Sequence, residues 1–345
     1  MNRGMRISAL LVLAMMLAAR AEDAPLNLVL PTDNTALLRG DYPAFYQVIE
    51  RNLHGVISYP WQGGQYGFVR DPVETSGGRI FTRFHEGMDI RPVRRDARGE
   101  PLDEVRAIAS GTVVHVNRAA GHSNYGRYVV IEHRWGGCSY YSLYGHLNTI
   151  AVETGEQVKQ GGRLGILGHT GSGINRERAH VHLELNLLLN DHFEEWHDTF
   201  FKSDPNYNGI YNGLNLAGLD LARLFLALRA NSVLTLPAFL AREEVFYRVI
   251  VPNSPNFQLP RRYPWMIESA PDEKPVAWEV SFARSGLPLR LAPSGKTVSG
   301  PELSYVKPGP IDYRDMTRGN LAGRGASARL TDSGKAIMRL LTFPD

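Results

Sequence analysis

Between residues 80 and 190 the chain consists of short alternating runs cut by glycine, and this pattern limits the fold more than any other feature. Thr112-Val113-Val114-His115-Val116, Tyr128-Val129-Val130-Ile131-Glu132 and His180-Val181-His182-Leu183-Glu184-Leu185 are examples. Gly136-Gly137, Gly161-Gly162 and Gly171-Ser172-Gly173 punctuate the same stretch. Short strands at about ten-residue spacing, separated by glycine turns, predict a β-rich domain built as an antiparallel sandwich or open barrel.

The rest of the chain is bounded by composition. Its 345 residues are about two domains' worth. A 43% apolar and 21% charged composition excludes a disordered or fibrous chain. The single cysteine, Cys138, excludes a disulfide framework and every multi-cysteine metal site, so any metal must be held by histidine and carboxylate. Cys138 itself lies in a strand-like run and is expected to be a buried, inert thiol.

Residues 1–21 read as a signal peptide. Arg3 and Arg6 form the positive end, Ile7 to Ala19 the apolar run, and Ala19-Arg20-Ala21 the cleavage site. Removing its three arginines leaves 35 basic residues against 35 acidic, so the formal charge of +3 is no sign of a nucleic-acid partner. An exported protein is expected, in the periplasm, cell wall or medium, with no stable membrane insertion after cleavage.

All 11 histidines lie between His54 and His197. The expected organisation is a leader (1–21), an N-terminal region (22–79), a histidine-rich domain (80–215) and a mixed α/β C-terminal region (216–345). In the N-terminal region Tyr42 to Asn52 is expected to be a short helix. In the C-terminal region Leu216 to Ala230 has helical spacing. Trp278 to Phe282 and Leu287 to Leu291 read as a hairpin around Ser285-Gly286. A closing helix over Leu330 to Leu341 would be capped by Thr331 or Asp332.

Three clusters carry chemistry. His85 and Asp89 are four apart, but Gly87 between them and Pro92 beyond favour a strand or extended loop over a helix. The zincin pattern H-E-x-x-H fails because position 89 is Asp. His180 and His182 flank Val181, so a strand would place both rings on one face, with Glu184 next to them. They can be two ligands, or one ligand and one catalytic base. His146, in Tyr144-Gly145-His146-Leu147, ends another strand-like run. Catalytic zinc takes three protein ligands and keeps a fourth position for water. His85, Asp89 and His182 can supply that set and leave His146 and His180 for proton transfer or oxyanion binding. Before residue 80 only His54 offers a further ligand. No G-x-S-x-G elbow is present.

These clusters stand in an order that resembles the lysostaphin/LytM-type zinc metallopeptidases. The resemblance runs through His85-x-x-x-Asp89, Tyr125-Gly126-Arg127-Tyr128 to His133, Leu143-Tyr144-Gly145-His146-Leu147, Gly155 to Gly161, Gly165 to Gly171, and His180-Val181-His182-Leu183-Glu184. It covers roughly residues 80–190. It implies an open-grooved β domain that binds one zinc ion per chain and cleaves peptide bonds in peptidoglycan stem or cross-bridge peptides. It also implies zinc ligation by His85, Asp89 and His182, and catalysis by His146 and His180. The alternative is a catalytically silent member that binds the wall or regulates a partner. Glu184 is a candidate to orient a ligand ring, and Arg176 or Arg178 to meet a peptide carboxylate. Glycine-bridge cleaving members carry a tyrosine several residues before the first zinc histidine. Here that stretch is Ser76-Gly77-Gly78-Arg79, so a pentaglycine substrate is not expected.

Overall fold

The computed structural model describes residues 26–75, 77–269 and 274–343. The signal-peptide expectation for residues 1–21 lies outside the described residues. A hairpin of β1 (Gly67–Thr75) and β2 (Gly78–His85) leads into β3 (Met88–Ile90). Four long or medium strands then build the main sheet: β4 (Gly111–Asn117), β5 (Tyr128–Trp135), β6 (Cys138–Gly145) and β7 (Val181–Leu188). They run in that order and pair antiparallel, with the two-residue strand Gln157–Val158 outside β4. On the far side of β7, β3 pairs with its first residues and β8 (Leu216–Gly218) with its last. The sandwich-or-open-barrel expectation is met by antiparallel sheets, none of which closes into a barrel among the described residues.

β7 shows how the period of two makes both a core and a site. Every residue of it is buried. Val181, Leu183, Leu185 and Leu187 join the large apolar core on one face. The alternate residues, His182, Glu184, Asn186 and Leu188, face the other way. There Leu188 packs with Tyr128, Val130, Tyr141, Leu143 and Leu216 in a second, smaller core. The polar residues of β7 are therefore enclosed and need partners from neighbouring segments.

The C-terminal region adds a four-stranded antiparallel sheet of β9 (Tyr247–Pro252), β10 (Ala277–Phe282), β11 (Pro288–Ser294) and β12 (Glu302–Val306), in the order β11-β10-β9-β12. β10 and β11 are the expected hairpin, and Gly286 turns between them at φ 87°. The closing helix spans Asp332–Thr342, and Thr331 caps it by accepting from the Gly334 amide at 2.9 Å.

Two local expectations fail for tertiary reasons. The helix expected over 216–230 begins only at Leu221, capped by Asp220. Leu216–Gly218 instead pairs with the open edge of Asn186–Leu188, so the main sheet continues past residue 215. The helix expected over 42–52 is only Tyr42–Phe45. Beyond it Tyr46 bridges Ile90 and the Gln47 amide donates to the Asp89 carbonyl at 2.9 Å. In both places an available strand edge outweighs helix propensity.

Candidate metal and catalytic site

Five side chains from separate segments meet at one end of the main sheet. His182 in β7 stands opposite Asp89 of β3 on one side and Gly145 of β6 on the other. Opposed residues in antiparallel pairs share a face, so this register brings Asp89 to His182. His146 follows Gly145, His180 precedes β7, and His85 ends β2. The return from His85 to Asp89 passes so close to β7 that a Cβ on Gly87 would lie 2.3 Å from the Leu183 carbonyl oxygen and 2.8 Å from Glu184 Cγ. Only glycine fits there. The extended reading of His85 to Asp89 is what the structure shows.

Asp89 Oδ1 is the centre of the group. It lies 2.9 Å from His182 Nδ1, 3.1 Å from His85 Nε2 and 3.3 Å from His180 Nε2. His85 Nε2 is also 3.0 Å from His182 Nδ1. His85, Asp89 and His182 form a group of three whose donor atoms all lie within 4.8 Å of one another. His146 sits edge-on to both other rings, 4.7 Å from His180 and 5.8 Å from His182 between centroids. All five are buried.

Hydrogen bonds behind the rings decide which nitrogens face inward. A carbonyl can only accept, so a ring nitrogen bonded to one carries the proton. His85 Nδ1 donates to the Gln65 carbonyl at 2.7 Å, His146 Nδ1 to Thr170 at 2.8 Å and His180 Nδ1 to Arg178 at 2.7 Å. Each of these rings therefore turns Nε2 inward. His182 is reversed: Nε2 donates to Glu184 Oε1 at 2.7 Å, and Nδ1 faces Asp89 and His85. Glu184 in turn accepts from the Tyr125 hydroxyl at 2.8 Å and from Asn186 Nδ2 at 2.9 Å. Two imidazole nitrogens and a carboxylate oxygen thus point at one place from inside a buried site.

The electrostatics say that this place wants a positive charge. Burial pushes the His85 ring below its ordinary range. Burial, with the neighbouring His180 and His182, does the same to His146. Burial alone would raise Asp89, but His85, His180 and Arg70 outweigh it and hold the carboxyl well below the usual range. Burial would lower His182, yet its hydrogen bonds to Asp89 and Glu184 outweigh that and push it up to about 10. The two carboxylates thus favour the protonated form of the His182 ring. A nitrogen-nitrogen-oxygen set suits zinc, whose tetrahedral ligands lie roughly 3.4 Å apart, and these donors are 2.9–3.1 Å apart. At pH 8, below the His182 value of about 10, zinc uptake is therefore expected to release about one proton per ion. Calorimetric titration in buffers of different ionisation enthalpy measures that number. The proton inventory is wrong if the heat does not vary with the buffer.

Several sequence expectations can now be placed. Glu184 is bonded to His182 rather than turned to solvent. Partners of this kind orient a ligand and raise its basicity. Glu184→Gln is expected to weaken zinc affinity by about 10–100-fold, read by competition with a chromophoric chelator. Affinity within twofold of the parent would show that Glu184 merely packs. The Arg178 carbonyl holds His180, while the Arg176 side chain is exposed. His54 sits exposed on a turn at φ 51° and joins no metal-binding group among the described residues. Cys138 is buried, as expected. Sequence reasoning overlooked Arg70, whose Nη2 donates to Asp89 Oδ2 at 2.6 Å. It also gave no role to Tyr125, Asn186 or the three carbonyls. A carbonyl acceptor has no sequence signal, and an arginine 19 positions upstream of an aspartate has almost none.

Residues 83–192 match the profile described as Peptidase family M23. The chain is 34% identical over 89 residues to lipoprotein NlpD of Yersinia enterocolitica, covering 26% of this chain and 79% of that one. It is 33% identical over 147 residues to the peptidoglycan DD-endopeptidase ShyA of Vibrio cholerae, covering 38% of this chain and 32% of ShyA. Among solved structures, the catalytic domain of lysostaphin from Staphylococcus simulans aligns at 27% identity over 36% of this chain and 82% of that one, with a TM-score of 0.24. The chain spans only about a fifth to a third of the length of three longer curated relatives, ShyA among them.

Proposed function

The chain belongs to peptidase family M23, and we propose that it is an exported zinc endopeptidase that hydrolyses peptide bonds in peptidoglycan stem or cross-link peptides. The observation that carries this reading is the convergence of His85 Nε2, His182 Nδ1 and Asp89 Oδ1, with His146 and His180 beside them. In this reading His85, Asp89 and His182 hold one zinc ion per chain. When bound, zinc supplies Lewis acidity: it polarises a scissile carbonyl and lowers the pKa of water to about 7. His146 and His180 do the remaining work. Each has Nδ1 tied to a carbonyl and Nε2 free of that bond. Such a ring can take the proton from water, hand it to the departing amine, or hold the oxyanion of the tetrahedral species. Burial keeps competing water away and strengthens each of these contacts.

A complete set of five residues favours the enzyme over a silent wall-binding relative. Export follows from the leader-like sequence of residues 1–21, and no helix among the described residues is long and apolar enough to cross a membrane. The test is the zinc-loaded protein incubated with peptidoglycan fragments of defined cross-linking, with products read by mass spectrometry. New free amines with one bond cut are expected. Intact fragments from protein that carries one zinc per chain would end the endopeptidase reading.

A further inference from the structure

Arg70 presses a guanidinium against the metal-binding group from the N-terminal hairpin. Nη2 donates to Asp89 Oδ2 at 2.6 Å, and Nε donates to the Gly63 carbonyl at 3.0 Å. The Asp89 side chain is 1% exposed and Arg70 19%. This pairing depends on an irregularity in the strands. In the β1–β2 hairpin Gly67 opposes His85 and Phe68 opposes Phe84, but the next pair is Arg70 with Arg83. Val69 is skipped.

Side chains alternate along a strand, so a skip of one residue reverses the face of everything after it. In a regular ladder Arg70 would stand opposite Thr82, on the face away from His85. The bulge turns it onto the face that carries His85. Asp71, the next residue, takes a left-handed conformation at φ 52°, which costs free energy for any residue with a side chain. A bulge and a left-handed residue are therefore spent at the position that aims Arg70 at Asp89.

The two carboxylate oxygens of Asp89 are thereby given different tasks. Oδ1 faces the imidazoles at 2.9, 3.1 and 3.3 Å. Oδ2 is occupied by a charge-assisted hydrogen bond. We propose that Arg70 is a positioning residue that keeps Asp89 a one-oxygen ligand. A carboxylate free at both oxygens can bind a metal through both, which would fill the position that hydrolysis needs open. The inference rests on the zinc-peptidase reading of the site.

Cobalt(II) in place of zinc reports coordination number directly, because four-coordinate cobalt absorbs visible light much more strongly than five- or six-coordinate cobalt. Spectra of the substrate-free cobalt protein are compared for the parent, Arg70→Gln and Arg70→Lys, with hydrolysis measured on the zinc forms. The parent is expected to show strong four-coordinate bands. Arg70→Gln is expected to lose much of that intensity and about 10–100-fold of its activity. Arg70→Lys is expected to recover the bands, since an ammonium can still answer Oδ2. Parent-like bands in folded Arg70→Gln, or lost bands in Arg70→Lys, would overturn the role of Arg70 and leave the zinc-peptidase reading standing. A parent that takes up neither cobalt nor zinc would overturn both.

Discussion

His85→Ala is expected to give a folded protein that retains no zinc through gel filtration and cuts peptidoglycan peptides at least ~1000-fold more slowly than the parent. That figure is a lower bound, because removal of a single oxyanion donor alone costs about 100–1000-fold. In the proposed reading, loss of the metal would remove the group that polarises the carbonyl and acidifies the water. His85 Nε2 is one of three donors converging at the cluster, and two donors hold the ion far less well. The fold is expected to survive, because His85 ends a hairpin strand outside the main sheet. Asp89 keeps Arg70 as its partner, so no buried carboxylate is left unpaired. The loss falls on the Gln65 carbonyl, which gives up one hydrogen bond worth about 1–3 kcal/mol if it stays dry. Zinc content and cleavage are measured on the same preparation. One zinc per chain with cleavage within tenfold of the parent would remove His85 from the ligand set.

Ending the chain after residue 215 is expected to abolish soluble expression. The region from 216 onward could be a wall-binding module, a lid over the groove or a structural support, and its contacts favour the last. Leu216–Gly218 pairs with β7, and its removal would strip Asn186–Leu188 of a neighbour and open a sheet edge. The Tyr263 hydroxyl accepts from the Leu188 amide at 2.9 Å and donates to the Ser139 carbonyl at 3.1 Å, joining β7 and β6 from outside. Asn190 Nδ2 donates to the Leu341 carbonyl at 3.0 Å, and Trp196 Nε1 to that of Ala336 at 2.8 Å. The apolar core is continuous across the boundary: Leu185, Leu187, Phe193 and Trp196 belong to the same cluster as Leu224, Tyr263, Met338 and Leu341. Fully burying one such side chain is worth about 1.5–3 kcal/mol, and a domain's whole stability is about 5–15 kcal/mol. Exposing several at once exceeds that margin. A soluble fragment ending at residue 215 that unfolds cooperatively would show instead that the C-terminal region is a separable module.

The C-terminal region also reaches toward the site. Arg318, at φ 55°, pairs with Glu86 Oε1 at 2.6 Å and lies 5.0 Å over the Phe84 ring. Arg284 lies 4.4 Å over Phe68 in the same hairpin. The hairpin that carries His85 and Arg70 is thus braced by residues more than 200 positions away in sequence. No pattern within the histidine-rich stretch could have suggested it.

The amino-acid sequence determined the donors and the kind of element that bears them. Alternation in His180-Val181-His182-Leu183-Glu184 put two imidazoles and a carboxylate on one side of a strand, because a pleated backbone has a period of two. The capping threonine at 331 was equally local, since it satisfies a need of its own few residues of backbone, whereas glycine is required at 87 only because β7 passes against it. The tertiary structure decided the rest. Strand register set Asp89 opposite His182. Carbonyls of Gln65, Thr170 and Arg178, which any residue type would offer, turned three imidazoles inward. A one-residue bulge aimed Arg70. These are long-range backbone pairings, and they depend on which chain segments meet and in what register, a property that no short stretch of side chains encodes.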